Sequence, residues 1–182
     1  QYGTNDTAIE AAIFFNLGIL HTRIGDEQEA LIYLTKSLKL QERTIASRFD
    51  VGIETTSKEF LNGPTIHKIL HNIGHAHWKG ARYTEAIETY SQALDHLLSK
   101  CPKLQHNQLD ISATLNCIAV SMFYACERNT DDVLTIFERA LALRIGSVPR
   151  TGYDRESATI INNCGRVRFI RGEFVAAFKI YK

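Results

Sequence analysis

Apolar residues return every three or four positions along most of this chain, the spacing that puts them on one face of an α-helix. The second such run shows the pattern well. Ala30, Leu31, Leu34, Leu38 and Ile45 share a face of a helix predicted from Asp26 to about Ser47. The helix before it is predicted to start after Asp6 or Thr7, either of which can cap it, and to stop at Gly25 after Ile24. Gly63-Pro64 is a strong stop, and Thr65 is placed to cap a third helix over Ile66 to Lys79. A fourth runs from Tyr83 to Lys100 and ends at Cys101-Pro102, because the residue before a proline is steered away from helix. Further helices are predicted over about Gln108 to Glu127, Asp131 to Ile145, Arg155 to Arg171 and Glu173 onward, with GSVPRTGYD as a linker. The segment RFDVGIETTSKEFLNGPT departs most from periodicity. The expected fold class is all-α.

These helices come in pairs that repeat one pattern. First halves read FNLG ending at Gly18, HNIG at Gly74, NCIA at Ala119 and NNCG at Gly165. Second halves start from Ala30, Ala86, Val133 and Ala177, and four positions on stands a larger residue: Leu34, Tyr90, Phe137 and Tyr181. In three copies a small residue follows (Ser37, Ala93, Ala140), then a leucine (Leu38, Leu94, Leu141). Repeated helical hairpins stack on their neighbours and expose an extended surface, which is the design of a binding array.

The chain resembles the tetratricopeptide repeat (TPR) family on these residues, together with the turn glycines Gly25, Gly80 and Gly172 and the aromatics Tyr83 and Phe174 just after two of them. The small residues at positions 18, 74, 119 and 165 lie 56, 45 and 46 apart, longer than the usual repeat of about 34. With asparagines in the first helices, that length is similar to the kinesin light chain type of array. The resemblance implies a right-handed α-solenoid of helix-turn-helix repeats. It places them at about 8–47, 65–101, 108–146 and 155–182, in one repeat domain whose last copy is truncated. A concave groove lined by the first helices would receive a peptide segment of a partner.

Composition narrows the alternatives. With 21 Lys+Arg against 20 Asp+Glu there is no net field to draw nucleic acid or an anionic membrane. The most apolar stretch, Cys117 to Cys126, is far too short to span a bilayer. The four cysteines form no Cys-x-x-Cys pair, and a reduced, cytoplasmic setting accounts for them most simply. Residue 1 is glutamine, and Phe174, Phe178 and Tyr181 have no later helix to cover them, so a fragment of a longer array is expected. No GxSxG, GxxxxGK[ST] or GxGxxG motif occurs, so no catalytic residue and no cofactor are expected.

Candidate binding residues follow from the first helices. Asn16, Asn72, Asn116, Asn162 and Asn163, with His71, lie just before the small-residue position of each copy. An amide offers an acceptor and two donors, so a row of them can hold a peptide backbone whatever its side chains. The alternative is that these amides bond neighbouring repeats or local backbone. Arg23, Lys79 and Arg166 are expected one turn further along, where they could meet acidic residues or a terminal carboxylate, or simply face solvent. Trp78, Phe123 and Phe169 are expected beside the groove, as anchors for an apolar side chain or as packing between helices.

His67, His71 and His75 fall at i, i+4 and i+8 with His77 nearby, a spacing compatible with metal. There is no HExxH, however, and no metal is assigned. Histidines in a groove would also make it pH-sensitive. The leading function is a protein-interaction scaffold that holds an extended peptide of a partner, possible acidic residues included. The alternative is a regulatory or sensor region of a larger enzyme or ATPase that contacts its own catalytic domain.

Overall fold

The computed structural model describes residues 2–50, 64–100, 107–125, 130–147 and 154–182. Within them the chain forms eight helices and no strand: α1 (Tyr2–Ile24), α2 (Glu27–Asp50), α3 (Ile66–Lys79), α4 (Tyr83–Lys100), α5 (Gln108–Ala125), α6 (Thr130–Ser147), α7 (Arg155–Ile170) and α8 (Phe174–Tyr181). The helices pack in adjacent pairs, the arrangement of a solenoid of helical hairpins. They fall into two compact units, residues 1–93 and 94–182, with the division inside α4.

Three of the hairpin turns are built alike. Asp26, Arg82 and Glu173 each donate a backbone N–H to the carbonyl five residues back, on His21, His77 and Arg168, at 2.9 Å. This closes the helix with its penultimate turn residue in the left-handed region. Gly25 (φ 85°) and Gly172 (φ 77°) fill that place as the sequence leads one to expect, but Gly80 does not. In the second turn the left-handed residue is Ala81, at φ 57°, and Gly80 sits at φ −78° as the helix cap. The glycine stands one residue too early, so an alanine carries the strain. Ala81→Gly is therefore expected to stabilise this hairpin by about 0.5–1 kcal/mol, the left-handed penalty less the added freedom of the unfolded chain. Gly25→Ala should act in the opposite direction, and urea unfolding midpoints check both signs.

In the first unit, α1 and α2 meet through small residues. Gly18 lies directly under Leu34, and a Cβ there would come 2.5 Å from Leu34 Cγ. Gly74 lies under the Tyr90 ring in the same way. The buried Ser37 hydroxyl donates to Ala11 O at 2.7 Å, and the Thr7 and Thr44 hydroxyls approach to 3.4 Å. A core of Ala30, Leu34, Ile69, Ile73 and Ala76 then joins α2 to α3.

In the second unit Leu97, Leu115, Ala119, Phe137, Ile160, Cys164 and Val167 belong to one buried cluster spanning α4 to α7. Here Ser112 donates 2.7 Å to Ala140 O. Counted from Gly18 and Ala119, positions 11 and 112 are equivalent, and so are 37 and 140 by the second-helix count. It is one contact, with the hydroxyl moved to the other helix.

Two expected caps differ from the sequence reading. The first helix starts at Tyr2, so Asp6 and Thr7 lie inside it. α2 also runs on past Ser47, and the Thr7 hydroxyl faces Thr44 of α2 instead of a helix end. Thr65 holds the N-cap backbone position of α3 but makes no cap hydrogen bond, its hydroxyl lying 3.3 Å from His67 Nε2. Asp154, by contrast, caps α7 and accepts from the Ser157 N–H at 2.8 Å. Hydrogen bonds from Arg144 and Ser157 hold its carboxyl far below the usual carboxylate range. Residues 51–63, 101–106, 126–129 and 148–153, with the Gly63 stop, Cys101-Pro102 and most of the expected linker, lie outside the described residues.

Candidate functional site

In the second unit the expected residues from α5 and α7 come together. The Asn163 side-chain amide donates to Asn116 Oδ1 at 3.0 Å, tying the first helix of one hairpin to that of the next. Further along the same helices, Arg166 donates to the Tyr124 hydroxyl at 3.1 Å. Its guanidinium lies over two rings, 5.3 Å from the centre of Phe123 and 5.6 Å from that of Tyr124. Attraction between a cation and a ring face holds such a group in place while leaving its outer edge wet. Arg166 is exposed, and among the described residues no carboxylate pairs with it.

Its neighbours behave differently. Arg144 bonds Asp154 and Glu156, Arg168 bonds Glu138 and Glu173, and Arg171 bonds Asp131 and Glu173. Asn162 is exposed, and its backbone carbonyl accepts from the Tyr181 hydroxyl at 3.3 Å.

Arg166 is not the register equivalent of Arg23 and Lys79. Those two lie five residues after Gly18 and Gly74, whereas Arg166 directly follows Gly165. The residue five after Ala119 is Tyr124, and it is this tyrosine that Arg166 reaches. The sequence reading missed Tyr124, although its place beside Phe123 was the available signal.

In the first unit the candidates stay more separate. Asn16 and Arg23 are exposed on α1, and Lys79 is exposed on α3. Asn72 donates its amide to Lys68 O at 2.8 Å, within its own helix. The reason lies in the register: Phe15 stands where Asn116 stands two hairpins later, and a phenyl ring cannot accept the bond that Asn116 accepts. His71 packs edge-on against Tyr90, with ring centres 5.2 Å apart.

The histidine row is dispersed among different tasks. His75 stacks on Trp78 at 6.1 Å, and His77 Nδ1 accepts from Arg82 at 3.0 Å. Burial, aided by Lys79 for His75 and Arg82 for His77, holds both below the ordinary imidazole pKa. Among the described residues no three His, Cys, Asp or Glu side chains are grouped to hold a metal ion. Phe169 is exposed and meets Phe174 edge-on at 5.4 Å. Burial pushes the Cys164 thiol up to about 11, so it serves as a small core residue. Among the described residues no helix is long and apolar enough to cross a membrane.

Residues 11–44 and 67–95, the first two hairpins, match the tetratricopeptide repeat family model. Those two hairpins are therefore matched as tetratricopeptide repeats. The fold is similar to that of BtubC (BKLC) from P. vanneervenii, with a TM-score of 0.66 at 20% identity over 92% of this chain and 59% of that one. It is also similar to nearly identical TPR-like repeats from a Podosopora anserina protein assigned as a kinesin light chain. There the TM-score is 0.60 at 15% identity, over 92% of this chain and 69% of that one. The chain thus spans about three-fifths of the length of BtubC, and at these identities the likeness is one of fold. No curated protein matches the chain in sequence. TPR hairpins form scaffolds for protein–protein interaction, and that coarse role is what the family match supports here.

Proposed function

We propose that this TPR array is a non-enzymatic scaffold that holds an extended, acidic peptide segment of a partner protein along its first helices. The observation that carries the reading is Arg166, exposed, seated on Phe123 and Tyr124, and free of any carboxylate among the described residues. A guanidinium held flat in this way loses little freedom when a carboxylate arrives, and it offers parallel donors to both oxygens. The Asn116–Asn163 pair lies on the same two helices and retains amide valences for a peptide backbone. Asn162 extends that surface, and Asn16, Arg23, His71, Asn72 and Lys79 supply the corresponding surface of the first unit. The balanced charge supports a protein partner over nucleic acid or membrane, and the absence of cysteine pairs in the sequence supports a cytoplasmic setting.

A random peptide-display library selected on this chain tests the reading. Enriched peptides should carry Asp or Glu, and Arg166→Ala should weaken them by about tenfold or more, the worth of a charge-assisted hydrogen bond. Because Arg166 is exposed, helicity should be unchanged. Absence of enrichment, or equal binding by the variant, would remove this surface as the acidic-peptide site.

A further inference from the structure

The three hairpin turns that close with a backbone bond across five residues also join the same two residues through their side chains. In the last turn Arg168 donates to Glu173 at 2.9 Å, and in the first His21 Nδ1 lies 3.3 Å from Asp26 Oδ2. A carboxylate faces a base in both. The second turn has no carboxylate in its pair. There His77 Nδ1 accepts from Arg82 Nε at 3.0 Å, while the Arg82 backbone N–H donates to His77 O at 2.9 Å. A guanidinium only donates, so the side-chain bond needs a bare lone pair on Nδ1 and a neutral ring with its proton on Nε2.

The turn is shaped around that guanidinium. A Cβ on Gly80 would come 2.9 Å from Arg82 Nη1, which accounts for a glycine at a position whose φ is an ordinary −78°. Arg82 Nη2 is shut off from solvent and has no hydrogen-bond partner among the described residues. A buried donor left unpaired is costly, so the bond to His77 carries much of the hold on Arg82. Next to it Ala81 already stores strain at φ 57°.

We propose that the α3–α4 turn is an acid-released clasp, in which a proton on His77 Nδ1 frees the Arg82 guanidinium and loosens the second hairpin. The proton removes the acceptor and sets two cations in contact, one of them short of partners. The charged groups that act on His77 stand across the turn: Arg82, at the head of α4, opposes the proton, and Glu85 of α4 favours it less strongly. Among the described residues neither α1 nor α2 brings a charge that shifts it. Burial, the largest cause, and Arg82 hold the ring below its ordinary pKa, so the unfolded chain takes the proton more readily than the folded one. The contribution to stability is therefore full above about pH 6.5 and is lost as pH falls through the folded pKa of His77. In the first turn a proton on His21 would meet Asp26, and the last turn's pair has no imidazole, so the response belongs to the second hairpin. The inference is independent of peptide binding, since Arg166 and the asparagines take no part.

Hydrogen exchange of the 182-residue chain tests it between about pH 7.5 and about pH 5, after correction for the intrinsic pH dependence of exchange. Protection of the Arg82 amide should fall about fivefold relative to that of the Asp26 amide in the first turn, the worth of one hydrogen bond. The midpoint should coincide with the titration of the His77 ring read by NMR, and not with that of His75, which stacks on Trp78 within α3. His77→Asn puts an amide oxygen, which does not titrate, near the place of Nδ1, so it should keep its protection at both pH values. Arg82→Met keeps the stem without the guanidinium and should also lose the acid response, with helical content by circular dichroism checking that each variant folds. Wild-type protection unchanged at pH 5, a midpoint that departs from that of His77, or an acid loss retained in either variant would overturn the inference.

Discussion

Gly18→Ala should destabilise the first unit by about 2 kcal/mol, while Gly165→Ala, the same change at the equivalent position, should cost well under half as much. Alanine favours a helix over glycine by about 1 kcal/mol, so a naive reading predicts that both changes stabilise. Packing reverses the sign. A Cβ on Gly18 would come 2.5 Å from Leu34 Cγ, next to the root of a side chain with no exposed surface, and 3.2 Å from the Ala30 carbonyl oxygen. Neither can retreat without parting α1 from α2.

At Gly165 the closest atom is Tyr181 Cζ, also at 2.5 Å, with the Tyr181 hydroxyl at 2.7 Å. These are tip atoms of a ring that is 54% exposed, and it can swing into solvent. Gly74 belongs with Gly18, because Tyr90 is only 1% exposed and the approach is to ring carbons starting from Cγ. Hydrogen exchange read separately over α1–α2 and α7–α8 distinguishes the sites. Equal losses of protection in the Gly18 and Gly165 variants would show that the Tyr181 ring cannot yield.

Phe137→Ala is expected to cost about 3–5 kcal/mol, the range for deleting a buried phenyl ring. Phe137 is 2% exposed and lies in the cluster that contains Leu115, Ala119 and Val133 of its own hairpin with Ile160, Cys164 and Val167 of α7. The ring therefore closes one hairpin and also seats the next. Its removal should lower exchange protection in α5, α6 and α7 together. Guanidinium unfolding of the second unit supplies the magnitude. A loss below about 1 kcal/mol would mean that the surrounding side chains collapse into the space.

The hairpins were legible in the sequence because their cause is local and repeated. The recurring positions of Gly18, Gly74 and Gly165 ahead of Leu34, Tyr90 and Tyr181 marked the hairpins, and the structure then brings each glycine against its larger residue. The bounds of α3 and α4 were equally plain, since turn residues punctuate them. The candidate site was legible only in part. Asparagine recurrence marked the right helices, but it could not tell Asn163, which reaches Asn116 on another hairpin, from Asn72, which turns back to Lys68. That difference depends on whether the facing residue is an asparagine or Phe15. Facing residues on separate hairpins are set by stacking, which no local period encodes.

By itself, then, the sequence determined the helices and their pairing into repeated hairpins, because propensity, turn chemistry and i to i+4 spacing act within a few residues. Tertiary structure alone decided the rest. It put Ala81 instead of Gly80 in the left-handed position, since the turn geometry is fixed by where two helices meet. It brought the Ser37 and Ser112 hydroxyls onto carbonyls of the facing helix, and it set Arg166 on Phe123 and Tyr124. Each of these depends on side chains brought together from distant parts of the chain, where packing distance and the chemistry of the facing group decide which contact forms.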